Sequence, residues 1–154
     1  MKSAISHLKA ALATATTLGA LAAPPALAIQ FQQQEVNPDQ FVVVAAPYSS
    51  NLHQLLILEQ VSDRRPCWQE SGNSPTIVDP LLIDFDFTGI CGRSTDSNGY
   101  SLRVGGEDLG WRYSLRVVRE GSDLVLKAIP TSDRTSSPLE IGRTNGAVND
   151  FVRI

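Results

Sequence analysis

The stretch DFDFTGICGRSTDSNG, residues 84–99, decides how this chain is read. Asp84, Asp86, Thr88 and Gly89 stand where an EF-hand calcium loop wants its first, third, fifth and sixth residues. The twelfth position falls on Thr95, which cannot supply the bidentate carboxylate such a loop needs. Phe85 and Phe87 alternate with the two acids, the period of a half-buried strand with its phenylalanines on the core and its carboxylates in water. No helical pattern flanks the segment. It therefore reads as strand, cross-linked corner at Cys91, loop, then strand. Gly89 and Gly92 relax the backbone around the cysteine. Asp96-Ser97-Asn98-Gly99 is a second oxygen-rich turn, but Asn-Gly is equally an ordinary turn dipeptide. No metal site, cofactor or catalytic residue is assigned.

The cross-link depends on compartment. The chain has 154 residues, and its first 28 differ from the rest. Lys2 and Lys9 give a basic start, Ala10 to Ala23 form an uncharged apolar run, and Pro24-Pro25 breaks any helix. Ala26-Leu27-Ala28 then offers a small-x-small cleavage site. Residues 1–28 read as a secretory signal peptide, with a mature chain from Ile29 that is secreted or periplasmic. A run of 14 residues rich in Ala and Thr is too short to span about 30 Å of hydrocarbon, so no membrane span is expected in the mature chain. In an oxidising compartment Cys67 and Cys91 read as a disulfide. It would close a loop of about 25 residues, worth roughly 3–4 kcal/mol by the chain-entropy model. The alternative is two free thiols or half of a zinc site, which would need two further ligands where the mature chain holds one histidine, His53.

Without the leader the chain keeps 11 basic and 16 acidic residues, a net charge of about −5. Its one lysine is Lys127, and its arginines are spread from Arg64 to Arg153 with Arg64-Arg65 the one adjacent pair. Nucleic acid and anionic membrane surfaces call for clustered positive charge, so neither is an expected partner.

Residues 29–39 form a glutamine-rich lead-in, and residues 40–154 the β domain. Gln40–Ala46 and His53–Val61 read as strands, and 62–75 as a polar loop carrying Cys67 and Trp68. Thr76–Val78 and Leu81–Thr88 are strand-like. YSLRV occurs at 100–104 and again at 113–117, read as two neighbouring antiparallel strands joined through GGEDLG. The second copy runs to Arg119 and turns through Glu120-Gly121-Ser122-Asp123 into Leu124–Ile129, a hairpin. Leu139–Arg143 and Phe151–Ile154 end the list of strands. The expected fold is all-β: a single-domain antiparallel β-sandwich or barrel of short strands.

Two classes of function follow. The first is a non-catalytic module with a structural or binding role in the cell envelope or extracellular matrix, its partner an envelope protein or polysaccharide. Trp111, Trp68, Arg64, Arg65, Asp96 and Asn98 are the candidate contact residues, on the loops at 62–75 and 92–99 and at the start of a strand. Trp68 follows a cysteine, where packing over the bridge competes with contact; Trp111 reads equally as packed or part-exposed. The second class is a small envelope hydrolase using carboxylates, with His53 as the sole imidazole base and Asp79, Asp84 and Asp86 available. No Gly-x-Ser-x-Gly elbow, phosphate loop or dinucleotide fingerprint is present.

HQLLILEQVSDRRPCW (53–68), PTIVDPLLIDFDFTGICGRSTDSNGYSLRV (75–104) and RYSLRVVREGSDLVL (112–126) together resemble a family of exported cyanobacterial proteins known as a domain of unknown function. The resemblance covers about residues 35–145, and CGRSTDSNGYS (91–101) is its most distinctive part. It implies an envelope or extracellular location in a photosynthetic bacterium and carries over no catalytic residue. The family continues past a segment like FVRI (151–154), which implies either a C-terminally incomplete β domain or an exposed last sheet edge.

Overall fold

The structure is a computed structural model that describes residues 35–95, 99–133 and 135–154. The expected signal peptide, residues 29–34 of the lead-in, and Asp96 and Asn98 lie outside the described residues. Val36 is exposed, and a short 3₁₀ turn, Pro38–Gln40, leads into the sheet with Asn37 Oδ1 accepting from the Asp39 N–H at 3.1 Å.

Eleven strands follow among the described residues: β1 Phe41–Ser49, β2 Leu52–Gln60, β3 Trp68–Ser71, β4 Ile77–Pro80, β5 Cys91–Ser94, β6 Arg103–Val104, β7 Glu107–Asp108, β8 Tyr113–Glu120, β9 Asp123–Pro130, β10 Leu139–Arg143 and β11 Val152–Arg153. They form antiparallel sheets ordered β3-β4-β11-β1-β2-β5, β10-β9-β8 and β6-β7. The fold is all-β, and the sheets are not closed into a barrel.

β1 and β2 form the central ladder, with Val42 opposite Leu58, Val44 opposite Leu56 and Ala45 opposite Leu55. The run FVVVAA does not alternate because both faces of β1 are covered. On one face Val42, Val44, Leu56 and Leu58 join Cys67, Val78, Leu82, Ile90 and Cys91 in the main core. On the other, Ala45 and Val152 pack with Leu124 of the three-stranded sheet, flanked by Ile77, Val117 and Ile154. Pro47 lacks an N–H and sits where the ladder shifts register, the position a bulge leaves open. Asn51 takes a φ of 64° to close the β1–β2 turn.

Cys67 and Cys91 form the expected disulfide, with Cα atoms 5.8 Å apart. Its placement shapes the sheet. Cys67 leads into β3 and Cys91 opens β5, and these strands are the two edges of the six-stranded sheet. Laid flat, six strands would hold those edges about 24 Å apart. The sheet is therefore curled around the main core until its edges meet at one end. Backbone and side chain reinforce the corner. Ile90 O accepts from the Val61 and Ser62 N–H groups at 2.9 and 3.1 Å. The Gln60 amide nitrogen donates to Ser62 O and Arg65 O, while its oxygen accepts from the Cys67 N–H at 3.0 Å. Gly89 adopts φ 67°. A Cβ on Gly92 would lie 2.7 Å from Glu59 Oε2 across the ladder, so Gly92 serves space more than freedom.

Three expectations are corrected. The expected strand Leu81–Thr88 does not form; the chain passes there through turns and bends. β5 takes the free edge of β2 only from Cys91, so no ladder is offered to the Asp-Phe alternation. Asp86 Oδ1 captures the Thr88 N–H at 3.1 Å, and Phe87 O accepts from Ile90 and Cys91. Phe85 does pack on the main core, whereas Phe87 is exposed. Second, the two YSLRV copies do not pair with each other. Gly105 and Gly106, both at positive φ, turn the chain after Val104, so β6 pairs with β7. Third, the loop at 62–75 contains β3, whose polar residues 69–71 are exposed as befits an edge strand. The β8–β9 hairpin and β10 stand where the sequence places them; β11 forms at the expected residues but lies between β4 and β1, not at an exposed sheet edge.

Replacing both cysteines, Cys67→Ser with Cys91→Ser, is expected to lower the unfolding free energy by roughly 3–4 kcal/mol in denaturant titrations. An unchanged midpoint would show that the edge-to-edge link does not constrain the fold.

Candidate functional site

The clearest candidate lies on the loops that enter β8 and leave β9. Trp111 is 72% exposed, an uncommon state for so large an apolar ring. Its backbone is nonetheless held from several sides. Asp108 Oδ1 accepts from the Gly110 N–H at 2.8 Å, and Leu109 O accepts from Arg112 and Tyr113. From the far side, the Thr131 N–H donates to Arg112 O at 2.9 Å and the Thr131 hydroxyl to Trp111 O at 3.0 Å. The indole is thus presented on a fixed stretch of chain, with the Arg112 guanidinium carbon 5.4 Å from the ring centroid.

Beside it runs a cleft of about 210 Å³ lined by Trp111, Arg112, Tyr113, Pro130, Ser132, Asp133 and Ser136. Asp133 accepts from the Thr135 hydroxyl at 2.6 Å, the Ser136 hydroxyl at 2.7 Å and the Thr135 N–H at 2.9 Å. Those bonds, the Thr135 hydroxyl first, pull its carboxyl down to about 2 and keep it ionised. The cleft so joins an aromatic face, a guanidinium, a fixed carboxylate and two serine hydroxyls. A set of this kind offers both stacking and hydrogen bonding to a ligand.

The other sequence candidates sit elsewhere. Trp68 packs on the main core next to the bridge, and its Nε1–H donates to Glu70 Oε1 at 3.2 Å. Arg64 donates to Gly89 O at 3.1 Å, and Arg65 lies over the Phe85 ring at 4.7 Å. Both arginines fasten the corner around the disulfide. Arg112 and Asp133 were not singled out from sequence; Arg112 is adjacent to Trp111, and the Asp-x-Thr-Ser spacing at 133–136 is a turn-capping pattern that marks a fixed carboxylate.

His53 is 6% exposed and opposes Pro47 in the β1–β2 ladder. Its Nε2 lies 3.1 Å from Val148 O, which can only accept, so Nε2 carries the proton. Nδ1 is buried without a hydrogen-bond partner, so no carboxylate orients the ring in the way a nucleophile's base is oriented. Burial, aided by the Arg119 charge, pushes its pKa below the ordinary 6.5, against the opposing pull of the Val148 carbonyl. Asp84 and Asp86 lie exposed on the turns described above. No group of three or more His, Cys, Asp or Glu side chains suited to a metal ion occurs among the described residues. No helix among them is long and apolar enough to cross a membrane.

The family described as Protein of unknown function (DUF3747) matches residues 8–154. The chain belongs to that family. No curated protein and no solved structure matches the chain.

The buried neutral imidazole has a consequence for acid stability. Its folded pKa is depressed, so the unfolded chain takes up the proton first, and the contribution of His53 is fully present above about pH 6.5 and lost as the pH falls below it. Thermal melts between about pH 7 and pH 5 should show a steeper loss for the wild type than for His53→Gln. Parallel losses would remove His53 as the titrating group.

Proposed function

We propose that this protein is an exported, non-catalytic binding module of the cell envelope or extracellular matrix, and that Trp111 and its cleft hold a polysaccharide. The observation that carries the reading is an indole left 72% exposed on a backbone tied by Thr131 and Asp108. Holding a large apolar ring in water has no folding benefit, and a ring already ordered loses little entropy on binding. Arg112, Ser132, Asp133 and Ser136 supply polar contacts beside it, the mixture that sugar rings need. Export is supported by the basic, apolar and small-x-small order of residues 1–28, by the disulfide, and by the resemblance to exported cyanobacterial proteins.

We further read the six- and three-stranded sheets as the layers of a β-sandwich. The cluster of Ala45, Val152 and Leu124, drawn from both sheets, supports that reading.

The test is co-sedimentation of the purified chain with insoluble envelope polysaccharide. Trp111→Ala should weaken retention at least about tenfold, a loss typical of a central tryptophan contact. Because the ring is exposed, its removal should leave stability within about 0.5 kcal/mol. Retention equal to wild type would refute the assignment, and retention of neither form would refute polysaccharide as the partner.

A further inference from the structure

Inside the curl of the six-stranded sheet lies a second cavity, of about 470 Å³. Leu56 and Leu58 of β2, Val78 of β4, Leu82 and Phe151 form its apolar wall. Ile83 lines it as well, yet is 93% exposed, so an aliphatic side chain stands bare at its edge. Pockets of this size and lining, with a few polar groups at the margin, are the usual form of a site for an apolar small molecule.

Three charged residues also line the cavity: Asp79, Arg93 and Asp150. The strand register separates them. Arg93 stands directly opposite Leu58 in the β2–β5 ladder, and opposed residues share a face, so its side chain leaves the sheet on the cavity side. Cys91, two residues earlier in β5, belongs to the same inner core, as a period of two requires. Asp79 follows the inward-facing Val78 and by the same alternation leaves on the opposite face. Asp150 turns one carboxylate oxygen onto the Phe151 N–H at 2.7 Å. Arg93 has no ion pair among the described residues, whereas Arg103, Arg143 and Arg153 each pair with a carboxylate. Among the described residues Arg93 is therefore the one cation offered to an occupant, next to an apolar trough, while the Asp150 carboxylate keeps its charge and is held at the Phe151 N–H. An apolar body ending in one anion complements that arrangement.

We propose that the cavity binds an aliphatic carboxylate of about ten carbons, whose non-hydrogen atoms, at roughly 30 Å³ each, take about 360 Å³ and so fit within the cavity of about 470 Å³. Its chain lies along Leu56, Leu58, Val78 and Phe151, its carboxylate meets Arg93, and its exposed flank is covered by Ile83. This site is independent of the Trp111 cleft, which shares none of these residues.

The test is isothermal titration of the full chain, disulfide intact, with decanoate, decanol and decyltrimethylammonium, the ions below their micelle concentrations and decanol below its solubility limit. Decanoate should bind saturably, one per chain, with decanol about tenfold weaker and the cation weaker still. Arg93→Gln should bring decanoate down to the level of decanol while leaving decanol unchanged. Ile83→Asp, at a site too exposed to matter for folding, should abolish binding of all three. No binding of decanoate, equal binding of the three amphiphiles, or decanoate binding untouched by both substitutions would each overturn the assignment. Retention on polysaccharide by the Arg93→Gln variant should match wild type, which keeps this result distinct from that of the Trp111 cleft.

Discussion

A single covalent link between the two edges of one sheet sets the form of this domain. Hydrogen-bonded strands are spaced by about 4.8 Å, and six of them cannot bring their edges together without strong curvature. The Cys67–Cys91 bridge holds the Cα atoms of those edges 5.8 Å apart. What lies inside the curve is the main core, with Val42, Val44, Leu58, Val78 and Cys67 all nearly or fully buried. The edges are not joined by a ladder, so the bridge, Gln60 and the Ile90 carbonyl do together what backbone pairing would do in a closed barrel. Edge strands left open invite pairing with other chains, and tying two of them into one corner reduces that hazard.

The outer face of the same sheet is treated differently. There Leu124 of the three-stranded sheet β10-β9-β8 packs on Ala45 and Val152, anchored where the buried Thr144 hydroxyl accepts from the Leu124 N–H at 2.9 Å and donates to Gly146 O. Asp123 fixes the same corner by accepting from the Gly146 N–H and from Arg143. The far end of this small sheet carries the loops with Trp111 and Asp133, remote in sequence from the bridge. The stapled half holds the apolar trough, and the other presents the aromatic and polar cleft, so the two proposed sites fall on separate elements.

Much of this was legible in the residues. The β-branched run Val42–Val44 announced a strand, and Gly121-Ser122 between apolar runs announced the β8–β9 hairpin. The cysteines announced their bond through compartment and count. Local alternation misled at 84–88, because a strand needs a free neighbour and the period of two says nothing about whether one exists. The repeated YSLRV misled for a related reason: identical strings were given identical structures, while Gly105-Gly106, an ordinary hairpin signal, already required the first copy to turn back. Trp111 was nameable as a candidate, but its exposure comes from loop placement that no local pattern encodes. Arg93 was not nameable at all. Its position on the inner face follows from pairing with Leu58, 35 residues earlier in the chain.

Amide hydrogen exchange on the oxidised and reduced chain tests the role of the bridge most directly. Because the bridge is the covalent tie between the sheet edges, reduction should strip protection from β3 and β5 and from the turns between 81 and 90, while β1, β2, β8 and β9 keep theirs. Unchanged protection in β3 and β5, or loss beginning in β8 and β9, would contradict it.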